Sequence, residues 1–152
     1  MEIERKYLLD CVPFDLSPYT KSYLAQSYIS TDPAIRLRKS VSTEKTEYVL
    51  TVKGVGLLVR DEFELTLSQE QYEKLMLKTE TVPIVKTRYR IPLDDSLVAE
   101  LDIYHEFFEG LITVEVEFSS QAQADEFSPP PWFGRDVTFD SAYKNSALAK
   151  KA

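Results

Sequence analysis

Seven short stretches of this chain alternate ionisable with apolar residues, and the ionisable ones keep to one phase. The first carries Glu2, Glu4 and Lys6, the next Arg36 and Arg38, and Lys53 ends the third. Arg60, Glu62 and Glu64 follow, then Lys86, Arg88 and Arg90, then Glu100 and Asp102, and last Glu115 and Glu117. Side chains two apart on a strand point to the same face. Each stretch therefore has a charged face and an opposite face carrying residues such as Ile3, Leu37, Val52, Phe63, Leu101 and Val116. The charged face holds eight acids and eight bases, so its formal charges cancel, although the whole chain stands at −7.

For one strand alone, such a pattern describes the solvated side of an antiparallel sheet. Seven strands together need another explanation, because an exposed face normally also draws on Thr, Ser, Gln and Asn. The alternative is a barrel with the charges inside and its outer apolar residues covered by helices. Sixteen charges buried dry would be prohibitive. A water-filled tunnel holding a ligand both anionic and metallated compensates both signs. Carboxylates supply hard oxygen ligands for Mg²⁺ or Mn²⁺, and Arg and Lys clamp phosphate oxygens. The pattern thus describes a site for a polyphosphate chain with its metal.

The rest of the sequence fits that frame. A chain of 152 residues with 43% hydrophobic content is read as one domain over residues 1–152 with a real core. Strands are predicted over 2–9, 22–30, 34–40, 46–53, 58–66, 84–91, 97–104 and 111–118. Ser68-Gln69-Glu70-Gln71 has the form of a capping box, with Tyr72, Leu75 and Met76 on one helix face behind it. A second helix starts at Ser119 or Ser120 and stops before Pro129. Residues 140–150 form a third, capped by Asp140 or Ser141. The expected class is α+β: an eight-stranded antiparallel barrel with short helices outside and a C-terminal helix. Net acidity argues against nucleic acid and anionic membrane as partners. No apolar run is long enough to span a membrane, the first ten residues lack a leader's apolar stretch, and Cys11 is the single cysteine. The expected setting is the reducing cytoplasm.

The motifs resemble, in order, those of the CYTH domains, also called triphosphate tunnel metalloenzymes. Glu2-Ile3-Glu4-Arg5-Lys6 resembles the ExExK signature, Ile35-Arg36-Leu37-Arg38-Lys39 the RxR strand, and Thr51-Val52-Lys53-Gly54 the TxKG segment. Arg60-Asp61-Glu62-Phe63-Glu64 resembles RxExE, Lys86-Thr87-Arg88 resembles KxR, Glu100-Leu101-Asp102 resembles ExD, and Glu115-Val116-Glu117 resembles ExE. Residues 140–149 are similar to the family's closing segment, so the likeness spans the chain. It implies an eight-stranded tunnel and Mg²⁺- or Mn²⁺-dependent chemistry on a small-molecule triphosphate. Inorganic tripolyphosphate hydrolysis is the leading expectation. Thiamine triphosphate hydrolysis, class IV adenylate cyclase activity and polyphosphate binding without turnover are the alternatives.

The same resemblance implies roles. Arg36, Arg38, Lys53, Arg60, Lys86 and Arg88 would hold phosphate oxygens, with Arg90 in phase. Glu2, Glu4, Asp102, Glu115 and Glu117 would ligate metal, supported by Glu62, Glu64 and Glu100. Short bacterial members pair the ExExK lysine with a tyrosine of the second strand, here Lys6 and Tyr28, to activate or orient water. Tyr28 equally suits a packing role at a barrel end. Lys144 either reaches into the tunnel or lies exposed on the last helix. His105 is expected as a solvated loop residue and Cys11 as a non-catalytic thiol, while Trp132 and Phe133 would pin the C-terminal segment to the barrel. Outer apolar strand faces leave a homodimer open.

Overall fold

Alternation with period two favours extended backbone, and nine segments of the chain adopt it. A computed structural model describes residues 1–94 and 96–150. The strands are β1 (Glu2–Leu9), β2 (Thr20–Thr31), β3 (Ala34–Val41), β4 (Thr46–Lys53), β5 (Val59–Arg60), β6 (Glu62–Leu67), β7 (Ile84–Pro92), β8 (Val98–Tyr104) and β9 (Ile112–Glu117). Three short helices accompany them: α1 (Gln69–Met76), α2 (Gln121–Glu126) and α3 (Asn145–Lys150). All pairings are antiparallel, in the order β5-β1-β9-β8-β7-β2-β3-β4-β6.

The count is nine strands, not the expected eight, because the stretch read as 58–66 breaks at Asp61. Val59–Arg60 pairs with β1, whereas Glu62–Leu67 pairs with β4. The two ends of the sheet order are therefore consecutive in the chain, and one residue joins them. Asp61 turns its carbonyl to the Gly54 amide at 2.8 Å, which anchors the break. The sheet so becomes a nearly closed barrel.

β5 covers only Glu2 and Ile3, so most of that edge of β1 needs another partner. Residues 135–138 supply it. The Leu8 amide donates to the Arg135 carbonyl and the Val137 amide to the Lys6 carbonyl, both at 2.8 Å, and the Lys6 amide donates to Thr138 Oγ1 at 3.0 Å. The approach is close enough that a Cβ on Gly134 would sit 2.1 Å from the Leu8 carbonyl oxygen.

The apolar core lies outside the barrel wall. Ile3, Tyr7, Ala99, Leu101, Val114 and Val116 are covered by Ala124 of α2, Phe118 and Phe133. Trp132 and Phe133 stack edge-on at 4.5 Å, and Phe133 packs on Tyr7 at 4.8 Å, so this pair does pin the segment after the prolines. The Ser68 capping box forms as expected, and α1 lays Tyr72 over Leu37 and Leu67. Cover is incomplete: Phe63 and Leu65 of β6 remain 60% and 50% exposed on the outer face. A third cluster, Tyr28, Ile84, Tyr104, Leu148 and Ala149, closes one end of the interior beneath α3. Among the described residues no helix is long and apolar enough to cross a membrane.

Two expectations about loops need correction. Residues 140–150 are not one helix: a 3-10 turn at Ser141–Tyr143, capped by Asp140, is separated from α3 by an extended Lys144. His105 is half-buried rather than solvated, with Nε2 at 2.7 Å from Thr87 Oγ1. Cys11 is free and exposed.

Gly134→Ala is expected to lower stability by about 1–3 kcal/mol, because the new methyl meets backbone that cannot rotate away. A urea midpoint equal to the wild type's would contradict this account of the β1 seam.

Candidate active site

Barrel closure turns the charged strand faces toward one another. Strand register then sets acids beside bases: Glu2 opposes Arg60, Lys6 opposes Glu115, Lys53 opposes Glu62, and Arg88 opposes Asp102. Opposite charges facing across strands are the favourable arrangement. Asp102 is the most enclosed group. Arg88 donates to both its oxygens at 2.8 Å, and Lys86 Nζ lies 2.8 Å from Oδ2 without being aligned as a hydrogen bond. Asp102 and Lys86 have no exposed side-chain surface. Burial alone would raise the Asp102 carboxyl, but Arg88 and Lys86 outweigh it and hold the group below the usual range. Burial likewise opposes the Arg88 guanidinium, yet Asp102 lifts it well above its ordinary value.

Around Glu2 the bases converge from two strands. Lys53 Nζ donates to Glu2 at 3.0 Å and lies 3.5 Å from Glu62, while Arg60 Nε is 3.7 Å from Glu2. Near the open mouth Glu100 bridges Arg88 at 3.5 Å and Arg90 at 3.1 Å. Lys6 Nζ donates to the Tyr143 carbonyl at 2.7 Å and lies 3.5 Å from Glu115. That carbonyl is available because the chain is extended at Lys144 instead of helical.

Carboxylates also crowd one another. Burial, then the neighbouring Glu115 and Glu2 carboxylates, push the Glu4 carboxyl well above its usual range. Burial and a hydrogen bond to Glu62 raise Glu2. Glu117 is raised by burial and by Glu2, Glu100 and Glu62. Glu115 goes the other way: burial is overcome by Lys6, Arg88 and Lys86, which hold it far below the usual range. Among the described residues no three Asp, Glu, His or Cys side chains form a ready metal cage; the acids meet in pairs. Paired oxygen donors whose mutual repulsion favours protonation suit a hard divalent cation, which would relieve that repulsion.

Arg36 and Arg38 differ from the other bases. Among the described residues neither has a carboxylate partner; Arg36 donates only to Thr51 Oγ1, at 3.2 Å. Burial, then the neighbouring Arg36 and Arg88, push the Arg38 guanidinium down to about 10, so it remains cationic at neutral pH. These two arginines face a cavity of about 180 Å³ with Glu2, Glu4, Lys53, Glu62, Glu64, Arg88, Glu100, Glu115, Glu117 and Asn145. Among the described residues no apolar side chain lines it. A smaller space of about 30 Å³ adjoins Glu4, Lys6, Lys53, Arg60, Glu115 and Lys144. Lys144 thus faces the interior, where burial and then Arg60 lower its ammonium. Tyr28 lies at the closed end, its phenol raised by burial against the fields of Arg36, Lys6 and Arg60.

No family model matches the chain. It is 40% identical, over 97% of its own length and 96% of the relative's, to an inorganic triphosphatase of Nitrosomonas europaea. The chain belongs to the CYTH, or triphosphate tunnel metalloenzyme, family. The crystal structure of an inorganic triphosphatase is 39% identical and superposes with a TM-score of 0.68, over 98% of this chain and 94% of that one. A Hippeastrum protein named as an adenylyl cyclase with dominant triphosphatase activity is 14% identical, with a TM-score of 0.61 over 82% of this chain and 83% of that one. At that identity it shares the fold alone.

The CYTH motifs found in the sequence all reach one interior, but three of its members carry no charge pattern to announce them. Gln26 of β2 stands opposite Arg38 and so shares its inward face, Asn145 reaches the cavity from α3 and accepts from the Tyr104 hydroxyl at 3.2 Å, and Thr51 supports Arg36. Gln26 was legible only as part of the Leu24, Gln26, Tyr28 alternation. Contact between Lys6 and a main-chain carbonyl has no sequence signal.

Asp102→Asn is expected to cost about 3–5 kcal/mol at neutral pH, since it strands Lys86 and Arg88. The Asp102 carboxyl is lowered in the folded state, so its contribution is complete above the unfolded value near 4 and is lost as pH falls through the folded one. Urea titrations of wild type and variant should therefore converge in acid; a constant gap down to pH 2 would contradict the pairing.

Proposed function

We propose that this chain hydrolyses inorganic tripolyphosphate to pyrophosphate and phosphate inside the barrel, with Mg²⁺ or Mn²⁺. One observation carries the choice of substrate: the 180 Å³ cavity is lined by charged side chains and Asn145, with no apolar wall for a nucleobase or thiazole ring. The near-full-length likeness to an inorganic triphosphatase supports the same reading.

Arg36 and Arg38, lacking carboxylate partners, are the first anchors for phosphate oxygens. Lys53, Arg60, Lys86 and Arg88 can join them by leaving their acids. Glu2, Glu4, Glu115 and Glu117 would hold the divalent cation, with Glu62, Glu64 and Glu100 steadying the bases and the outer carboxylates. Asp102 can enter that set only as Arg88 and Lys86 turn to the substrate and release its oxygens. The cation, when bound, neutralises phosphate charge and favours attack of water on phosphorus. Phosphoryl transfer depends chiefly on positioning and charge neutralisation, and the tunnel residues supply both.

Lys6 orients the attacking water. An ammonium has three donors; the Tyr143 carbonyl takes one and Glu115 lies within ion-pair range, so a third points elsewhere. Tyr28, at the closed end, adds a phenol hydroxyl on the same side. An exposed free cysteine suits a reducing cytoplasmic setting.

Purified protein is expected to release phosphate from tripolyphosphate faster than from ATP or thiamine triphosphate, and only with Mg²⁺ or Mn²⁺ present. Cyclic AMP as the main product from ATP would replace this reading with a cyclase. Lys6→Ala should reduce kcat by about 100-fold; full turnover in that variant would remove Lys6 from the mechanism.

A further inference from the structure

Gln26 is buried on the tunnel side of the wall with its hydrogen-bonding capacity unused. Its strand neighbours are Arg38 on β3 and Ile84 on β7, and Tyr28, two residues on, opposes Arg36. The residue is 1% exposed, and among the described residues neither amide atom has a hydrogen-bond partner. The Nε–H groups of Arg36 and Arg38 are also buried and unpartnered. Buried polar side chains are normally satisfied, and an unpaired amide is unfavourable. A methionine or leucine of similar volume would fill the position without that penalty. Here an orphan acceptor, the Gln26 carbonyl, and an orphan donor, the Arg38 Nε–H, belong to residues directly opposed across the β2–β3 pair. Gln26 does not line the 180 Å³ cavity, whereas Arg38 does. The amide therefore stands beside the arginine that meets the ligand and outside the cavity itself.

We propose that Gln26 is a positioning residue for the triphosphate. When a condensed phosphate draws the Arg38 fork forward, the Gln26 carbonyl accepts the Arg38 Nε–H and fixes the fork's direction. Two outer guanidinium nitrogens then face phosphate oxygens in parallel, the geometry in which arginine binds such groups most strongly. In the structure the two groups are unpaired. This inference rests on the proposed function, since it assumes a condensed phosphate in the tunnel.

The test uses the whole chain, inorganic tripolyphosphate as the probe, and calorimetry in a chelator so that no turnover occurs. Gln26→Met should bind tripolyphosphate about tenfold more weakly. In the metal-loaded assay its KM should rise likewise with kcat little changed, the mark of a lost binding interaction. Its Tm should equal or exceed the wild type's. Arginine-selective NMR adds a readout that packing alone would not move: tripolyphosphate should protect one Nε–H in the wild type. That signal should vanish both in Arg38→Lys, which assigns it, and in Gln26→Met. Wild-type affinity in Gln26→Met, or a retained Arg38 signal, overturns the inference alone. Failure of both Gln26→Met and Gln26→Leu to fold assigns the amide to the core and also overturns it. A wild-type chain that neither binds nor hydrolyses tripolyphosphate overturns the proposed function, and this inference with it.

Discussion

Charge inside a closed sheet must be compensated where it stands, and the rest of this molecule follows from that constraint. A desolvated ion is tolerated only with a partner and further hydrogen bonds. Register supplies the partners: Asp102 between Arg88 and Lys86, Glu2 between Lys53 and Arg60, Glu115 beside Lys6. A shift of one residue in any of these strands would turn its charges outward and bring its apolar residues into the tunnel. The same pairing that stabilises the ions therefore also specifies the register.

Compensation inside moves the hydrophobic core outside. Leu101, Val114 and Val116 are fully buried on the outer wall, beneath α2 and the aromatic cluster around Phe133. Hydrophobic burial there supplies the driving force that the interior cannot. The two systems meet at β1. Its outward residues Ile3, Tyr7 and Leu9 belong to the core, and its inward residues Glu2, Glu4 and Lys6 belong to the site. The 135–138 segment that closes the edge of β1 leads directly into the turn whose Tyr143 carbonyl holds Lys6. Packing of the C-terminal segment and placement of the lysine are thus one event.

Most of the barrel was legible because two independent signals agreed. The expected strand limits 2–9 and 46–53 match the structure. The capping box at Ser68 was equally readable, since its two side chains satisfy specific main-chain donors. What escaped the sequence had no such signal. At Asp61 a third consecutive charge interrupts the apolar phase, but Arg60, Glu62 and Glu64 stay in phase across it, so the split between β5 and β6 shows only in pairing. The extended Lys144 lies within an otherwise helical composition. Phe63 has the pattern of a covered residue, but α1 is too short to reach over it. Gln26 and Asn145 are neutral members of a face recognised by its charges. The direction of Lys6 depends on a carbonyl from 137 residues away in sequence.

The ion pairs also set how a ligand can enter. Among the described residues every base of the charged strand faces except Arg36 and Arg38 stands against a carboxylate, and several of those carboxylates are candidate metal ligands. An anion arriving alone can engage Arg36 and Arg38, but to be fully held it would have to take other bases from their acids and leave carboxylates uncompensated. A cation arriving alone would do the reverse to the bases. Each arrival strands charge in a region where unpaired charge is expensive. When both enter together, phosphate oxygens replace the carboxylates around the bases, and the cation replaces the bases around the carboxylates, so the count of satisfied charges is preserved. Arg36 and Arg38, already without partners, give the anion a first contact that breaks no pair. A tunnel built this way selects for a ligand that carries both signs at once, and a metallated triphosphate is such a ligand.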